Sequence, residues 1–366
     1  MNVNDYLHAR AAAKRVPLSG TFELSPVCNF ACKMCYVRKT PEQIRSEGKR
    51  LLEHTEWLEL AKQCYEAGTL YLLLTGGEPF LYPNFKELYI ALHKMGFVLS
   101  INTNGTMINE ATVAWLKEYA PSRVNVTLYG ASAETYRRIC GNPEGFTRAM
   151  KAISMLQEAG IPVVINCSVI PENQEDLLAI MTIGKERGLN TRVATYMFPP
   201  VRREQEQTDS RLSAEVSAEL LMRRAKFQLT PGAFAKFLAR EDRPAEDASD
   251  WGANQGEEMR CRAGRSAFWI NWEGTMTACG ITRFPRVEYP LQDGFVRCWD
   301  RLTDAVRSVT VLSGCSGCPK RDVCNPCVAM LEAETGDVNT AAPYLCRMAD
   351  HVLELIEKER EETKNG

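Results

Sequence analysis

The 366-residue sequence predicts an α/β protein, a partial (β/α)6 barrel followed by a small cysteine-rich α+β domain. Three observations carry this reading. Short apolar runs alternate with helix-like stretches through residue 200, the pattern of parallel β/α units. The alternation then stops, and a stretch rich in Pro, Asp and Gly, EDRPAEDASDWGANQGEE, reads as a connector. Beyond it, Cys261, Cys279, Cys315, Cys318, Cys324, Cys327 and Cys346 crowd a segment with short strand-like pieces and many turns.

In chain order, strands are expected at 21–27 (TFELSPV), 70–75 (LYLLLT), 98–102 (VLSIN), 124–128 (VNVTL), 163–169 (VVINCSV) and 191–197 (TRVATYM). Helices are expected at 55–67, 84–94, 109–119, 133–138, 145–159 and 173–187, where apolar residues recur with a helical period. In such folds chemistry sits at the carboxyl ends of the strands, so a cysteine triplet following the first strand stands at that rim. The segment 211–228 (RLSAEVSAELLMRRAKFQ) reads as a helix, and the last twenty residues as a closing helix with a frayed polar end. The expected organisation is therefore an N-terminal segment 1–20, a barrel 21–200, a helical bridge and connector 201–258, a cysteine-rich domain 259–346 and a C-terminal helix 347–366. Apolar content alone would not hold the cysteine-rich part together, so metal is expected to staple it.

Bulk properties narrow the function. With 45% apolar and 25% charged residues the chain can bury a real core, and its net charge of −2 gives no footprint for nucleic acid. The apolar runs fall short of the roughly 20 residues of a membrane helix, and MNVNDYLHARAAAKRV lacks the apolar core of a signal peptide, so no membrane partner and a cytoplasmic location are expected. Fourteen cysteines suit metal binding better than disulfides in that compartment.

The stretch CNFACKMCY places Cys28, Cys32 and Cys35 in a C-x3-C-x2-C spacing. Four thiolates would close a structural zinc site, whereas three leave one metal corner open. Cubane iron–sulfur clusters are also held by cysteine thiolates, and a cluster with three protein ligands offers its fourth iron to a small molecule. Half of a zinc site, or three separate buried cysteines, are the competing readings of the triplet alone.

The triplet, with Tyr36 just after it, resembles the signature of radical S-adenosylmethionine enzymes. Gly76-Gly77-Glu78-Pro79 at the end of the second strand resembles that family's GGEP motif, and Thr103-Asn104-Gly105 follows the third strand. The resemblance covers most of 20–200 and implies a radical SAM barrel whose first three cysteines hold a 4Fe-4S cluster that binds S-adenosylmethionine at its open iron. It implies cofactor contacts from Met34, Gly76, Gly77, Glu78, Asn104, Thr127, Arg138 (with Arg137 close by) and Met197. Two glycines let backbone approach a ligand, and Glu78 supplies an acceptor for the ligand's ammonium or for nearby donors. An external reductant such as flavodoxin or ferredoxin would reduce the cluster, and the cleaved cofactor would yield a 5′-deoxyadenosyl radical that removes hydrogen from an unactivated carbon.

The C-terminal cysteines resemble the seven-cysteine SPASM domain, which implies two auxiliary 4Fe-4S clusters and three clusters in all. By resemblance Cys261, Cys279 and Cys327 hold auxiliary cluster I, and Cys315, Cys318, Cys324 and Cys346 hold auxiliary cluster II. Cluster I is one ligand short, and Cys298, a substrate thiolate or water are the options for its fourth iron. The Cys324–Cys327 spacing departs from the family's C-x3-C, and a zinc ribbon built on the C-x2-C pairs is the alternative. Cys64 reads as packing, while Cys140 and Cys167 are candidate catalytic hydrogen donors to a substrate radical. Glu257, Glu258, Asp293 and Asp300 are carboxylates near the cysteine-rich part with no assigned role.

The function expected from the resemblance is modification of a peptide or protein, by crosslinking or by oxidation at an unactivated carbon. Only about twenty residues precede the first expected strand, so a separate leader-binding protein is an expected partner. A small-molecule radical enzyme of tetrapyrrole or redox-cofactor synthesis is the alternative. A non-catalytic iron–sulfur or zinc-stapled binding protein is the reading from another class.

Overall fold

The structure is a computed structural model that describes residues 3–202, 210–240, 261–309, 315, 318–324 and 326–365. The expected connector, with Glu257 and Glu258, lies outside the described residues.

Six parallel strands form the expected arc: β1 (Ser19–Glu23), β2 (Tyr71–Thr75), β3 (Val98–Thr103), β4 (Arg123–Thr127), β5 (Val163–Ser168) and β6 (Asn190–Ala194). The arc does not stop there. Strand β7 (Ala267–Ile270) pairs in parallel with β1, Ser19 opposite Ala267, and β8 (Met276–Thr277) adds antiparallel to β7. The sheet therefore runs β6-β5-β4-β3-β2-β1-β7-β8, and the cysteine-rich segment shares the barrel's sheet.

Helices follow the strands. An N-terminal helix absent from the expectation, α1 (Val3–Lys14), is tied to the segment before β7 by His8 Nδ1 against Ser266 Oγ (2.9 Å) and by Arg262 donating to Asp5 (2.8 Å). The barrel helices are α2 (Pro41–Ser46), α3 (His54–Glu66), α4 (Phe85–Lys94), α5 (Glu110–Glu118), α6 (Ala133–Cys140), α7 (Glu144–Glu158) and α8 (Leu177–Glu186). Their boundaries have local causes. Asn109 and Ser132 cap α5 and α6 by accepting from Thr112 N–H and Thr135 N–H, and α6 stops at Cys140 because Gly141 turns left-handed at φ 71°.

Alternation along each strand separates two environments. Ile101, Val126, Ile165 and Val193 belong to the buried core that includes Trp57, Leu88, Leu116, Ile153 and Ile180. Asn102, Thr127, Asn166 and Arg192 line a cavity instead. A closed barrel fills its interior with branched apolar side chains; this one is polar there, which suits a ligand.

The open edge at β6 is covered by α9 (Ala214–Gln228). Ser217, Arg224 and Gln228 donate to the carbonyls of Thr195 (3.2 Å), Val193 (2.6 Å) and Thr191 (3.2 Å). Their helical spacing puts all three on one face, so side chains take the place of a neighbouring strand. Helix α9 packs with α10 (Pro231–Ala239) and the final helix in a second apolar cluster around Met222, Phe237, Val352 and Ile356. The remaining helices are α11 (Pro290–Asp293), α12 (Phe295–Arg307), α13 (Val328–Thr335) and α14 (Pro343–Asn365). None among the described residues is long and apolar enough to cross a membrane.

Candidate functional site

Strand β1 ends three residues before Pro26, earlier than expected, because a proline has no N–H for a ladder. The chain then runs along the turn after β2. Leu24 N–H donates to Thr75 (2.9 Å), Gly77 N–H to Ser25 (2.6 Å) and Glu78 N–H to Val27 (2.9 Å). On its other side the cysteine loop is held by α6, through Ala31 N–H to Cys140 (3.1 Å) and Lys33 N–H to Ile139 (3.2 Å). These bonds set Cys28, Cys32 and Cys35 against a cavity of about 880 Å³ at the carboxyl ends of the strands.

The two glycines are steric requirements of this seam. A Cβ on Gly76, whose φ is 149°, would sit 2.4 Å from the Ser25 carbonyl, and one on Gly77 would sit 2.4 Å from the Val27 carbonyl. Gly77→Ala is expected to push the cysteine loop off the seam, at a cost of about 1–3 kcal/mol in urea unfolding and with lower iron loading per chain.

The sulfurs are bracketed by donors. Phe30 N–H points at Cys28 Sγ (3.4 Å), Asn104 Nδ2 at Cys28 Sγ (3.7 Å) and Arg38 N–H at Cys35 Sγ (3.3 Å). Burial pushes the Cys28 thiol up to about 12. The Cys32 thiol is raised well above the ordinary range, first by its hydrogen bond to Cys140 and then by burial, while the Tyr129 hydroxyl opposes the rise.

The other expected residues fall in several places. Met34, Gly76, Gly77, Asn104, Thr127 and Met197 line the cavity. Glu78 faces inward, fully buried, and accepts from Thr103 Oγ1 (2.8 Å), Asn104 N–H (2.9 Å) and Phe80 N–H (3.2 Å). Burial raises its carboxyl to about 7 against the pull of those donors. Arg138 donates to the Glu172 carbonyl (3.0 Å), and Arg137 pairs with Glu134; neither is among the cavity's lining residues. Cys167 borders the cavity with its sulfur 4.0 Å from Asn173 Nδ2, and burial pushes its thiol up to about 12. Cys140 is buried behind the cysteine loop, and Cys64 is buried in the core.

Sequence reasoning missed the polar inner layer. Asn125 donates to Asn102 (2.7 Å) on the neighbouring strand, and Asn166 stands opposite Arg192 in the β5–β6 register. Strand alternation was the available signal, since these residues interleave with the apolar ones that were used to find the strands.

The C-terminal cysteines fall into two sets. Burial pushes Cys327 up to about 12, and Cys279 and Cys261 add to the rise; Ala263 N–H points at Cys261 Sγ (3.4 Å). Burial likewise pushes Cys324 to about 12, with Cys346, Cys315 and Cys318 as its charged neighbours. Cys298 belongs to neither set. On α12 it receives a contact from Arg301 (3.6 Å) and lies with Glu288 and Asp293, whose carboxylates are held by Arg301 and, for Glu288, Arg286. Asp300 pairs with Arg15 on the outside.

Donor spacing tests which metal these sets suit. Zinc at about 2.3 Å from each of four thiolates brings the sulfurs to about 3.8 Å from one another. Among the described residues, only Glu288, Asp293 and Cys298 bring three ligand atoms within 4.8 Å. The three cysteine sets offer thiolates, the donor type that both iron–sulfur clusters and zinc take.

Comparison with known proteins agrees with this geometry. Residues 22–183 match the Radical SAM superfamily. The chain is 25% identical to the AdoMet-dependent heme synthase of Methanosarcina barkeri over 347 residues, covering 91% of this chain and 97% of that protein. It is 29% identical to the antilisterial bacteriocin subtilosin biosynthesis protein AlbA of Bacillus subtilis over 163 residues, which is 44% of this chain and 35% of AlbA. Other curated relatives are likewise matched over only part of their length, 38% and 53% in two cases. In fold, the chain superposes on native anSMEcpe with bound AdoMet and Cp18Cys peptide with a TM-score of 0.69, at 17% identity, covering 95% of this chain and 99% of that one. Residues 22–183, which build the partial barrel, are thus the part of the chain that is similar to the Radical SAM superfamily.

Proposed function

We propose that the protein is a radical SAM enzyme with SPASM-type auxiliary iron–sulfur sites that modifies a peptide or protein, forming a crosslink or oxidising an unactivated carbon. The observation that carries the cofactor part is the separation of ten cysteines into the cavity triplet 28/32/35, the set 261/279/327 and the set 315/318/324/346. When bound, the first cluster and S-adenosylmethionine supply a 5′-deoxyadenosyl radical able to take hydrogen from an unactivated carbon. The chain's own task is to hold the substrate carbon in place and exclude water. Met34, Gly76, Gly77, Asn104, Thr127 and Met197 line the volume for the cofactor, and Cys167 at its border keeps the proton that a hydrogen donor needs. Glu78 serves that volume through Asn104, and Arg138 through the segment around Glu172.

The cavity wall supports a peptide. Asn102, Asn166, Asn190 and Gln228 offer both donors and acceptors, as peptide groups do, and Tyr129, Tyr196 and Phe198 offer apolar faces. Two of the wall's arginines are engaged within the protein, Arg211 by Glu334 (2.6 Å) and Arg224 by the Val193 carbonyl (2.6 Å). A second reading, a small-molecule enzyme acting on a carboxylated tetrapyrrole, is favoured by the match to heme synthase along nearly its whole length. External electrons from a flavodoxin or ferredoxin and a separate leader-binding protein belong to the first reading.

The two are separated by one assay. Anaerobically reconstituted, reduced protein is given S-adenosylmethionine with either a library of unmodified peptides or a carboxylated tetrapyrrole, and 5′-deoxyadenosine and product masses are followed. Faster cleavage with a mass change on the peptide alone is expected. Decarboxylation of the tetrapyrrole would overturn the peptide reading in favour of the second.

A further inference from the structure

One guanidinium touches three parts of this molecule and follows a fourth in the chain. Arg202 follows the segment 198–201 that lines the cavity, and it holds a left-handed backbone at φ 61°. Its side chain donates to both oxygens of Glu23 (2.7 and 2.9 Å), the last residue of β1, which is 1% exposed. It also donates to the Gly280 carbonyl (2.9 Å), directly after Cys279. Its guanidinium carbon lies 5.5 Å from the centre of the Tyr36 ring, directly after Cys35.

Glu23 is further fixed by Trp269 Nε1 of β7 (3.1 Å), and Gly280 lies so close to that indole that a Cβ would come within 2.6 Å of the ring. The pair thus sits at the junction of the cavity wall, the first strand, the Cys28–Cys35 loop and the Cys279 loop. A non-glycine residue at positive φ is an uncommon conformation, held here by what its side chain binds.

We propose that Arg202 is a positioning residue that ties the cavity wall to the ligand loops of both cysteine sites and, together with Glu23, sets the charge felt at Cys279. The charge part rests on the reading above that Cys261, Cys279 and Cys327 hold an iron–sulfur cluster; the positioning part does not. Arg202 donates to the carbonyl of Gly280, the residue next to Cys279, which sets its positive charge beside that ligand's loop. A buried positive charge near a cluster favours the reduced form and a negative one the oxidised form. An occupant that moved the 198–201 wall would therefore be felt at the auxiliary site through this one side chain.

The test uses the anaerobic holoprotein and four chains: wild type, Arg202→Met, Arg202→Lys and Glu23→Gln. Hydrogen exchange followed by mass spectrometry reads the loops. In Arg202→Met, amides of 35–38 and 279–281 are expected to exchange at least about tenfold faster while the β3–β5 core is unchanged. Arg202→Lys keeps the charge without the bidentate fork, so it should loosen the loops but leave the potential near that of wild type. EPR-monitored redox titration reads the charge: the potential of the C-terminal signal should fall in Arg202→Met and rise in Glu23→Gln. Unchanged exchange in both loops would overturn the positioning role, and potentials moving in the same direction would overturn the charge role. A wild-type protein with no C-terminal iron–sulfur signal would sink the cofactor reading and the charge role with it, and exchange would still decide the positioning.

Discussion

Replacing Cys28, Cys32 and Cys35 together by alanine is expected to lower the iron of anaerobically reconstituted protein from about twelve to about eight per chain and to abolish cleavage of S-adenosylmethionine. The loss should be complete because the three sulfurs share one short loop at the cavity, and the other cysteines stand elsewhere. Cys140 is behind the loop, Cys167 is turned to Asn173, and the C-terminal sets lie around Cys327 and Cys324. The one further thiol in contact with the triplet among the described residues, Cys140 at Cys32, cannot stand in for three ligands. On the proposed reading the eight irons that remain would be held by the two C-terminal sets, and Mössbauer spectra should show them unaltered by the change. Iron that falls from about four to none, with zinc retained, would mean that the C-terminal cysteines are structural, and small-molecule radical chemistry would then be the better reading.

The second large effect is expected at Glu78. Its carboxylate is fully buried and satisfies three donors at once, so Glu78→Ala leaves Thr103 Oγ1, Asn104 N–H and Phe80 N–H without their acceptor. At about 1–3 kcal/mol for each buried group left unsatisfied, the variant should lose at least about 3 kcal/mol of stability. Asn104 would lose its anchor, and with it the hold of its amide on Asn29 (2.9 Å) and Cys28.

The same carboxyl makes a pH prediction. Its folded value, about 7, lies above the ordinary 4.5, so between those values the folded state keeps a proton that the unfolded chain releases. The unfolded chain binds fewer protons there, and stability falls as pH rises through the window, by on the order of 3 kcal/mol. Urea unfolding at pH 5 and pH 8 should show that loss in wild type and a smaller slope in Glu78→Gln, whose amide does not titrate. Equal slopes in the two proteins would contradict the assignment.

The parts legible in the sequence were those that depend on local pattern. Apolar runs gave the six strands of the arc, and the helices after them fell within a few residues of their places. Gly76 and Gly77 were read as letting backbone approach a ligand; in the structure the carbonyls of Ser25 and Val27, from the chain itself, stand where their side chains would be. Other features depend on residues far apart in the chain, and no periodicity announces them. Strand β7 joins β1 through backbone pairing, and Arg202 meets Glu23 across most of the barrel. Helix α1 has a weak apolar stripe and is held through His8 and Asp5 by residues beyond 260, so its own composition gave little sign of it. Glu78 shows a third case. The motif was visible, but the direction of the carboxylate depends on Thr103 and Asn104, which only the fold brings beneath it.

The pairing of β7 with β1 has a consequence for how the chain is made. Strand β1 leaves the ribosome long before its partner β7, so one of its two edges waits for Ala267–Ile270, roughly 250 residues later. Until then Ser19–Glu23 presents unpaired backbone groups on a nascent chain, a template for wrong partners. Assembly of the described sheet cannot finish on residues 19–194 alone, since β7 and β8, made much later than β1, close the seam beside the first cysteine loop. A truncation before residue 261 would therefore leave the N-terminal half with an unsatisfied edge, and such a chain is expected to depend on chaperones rather than fold as a free-standing unit.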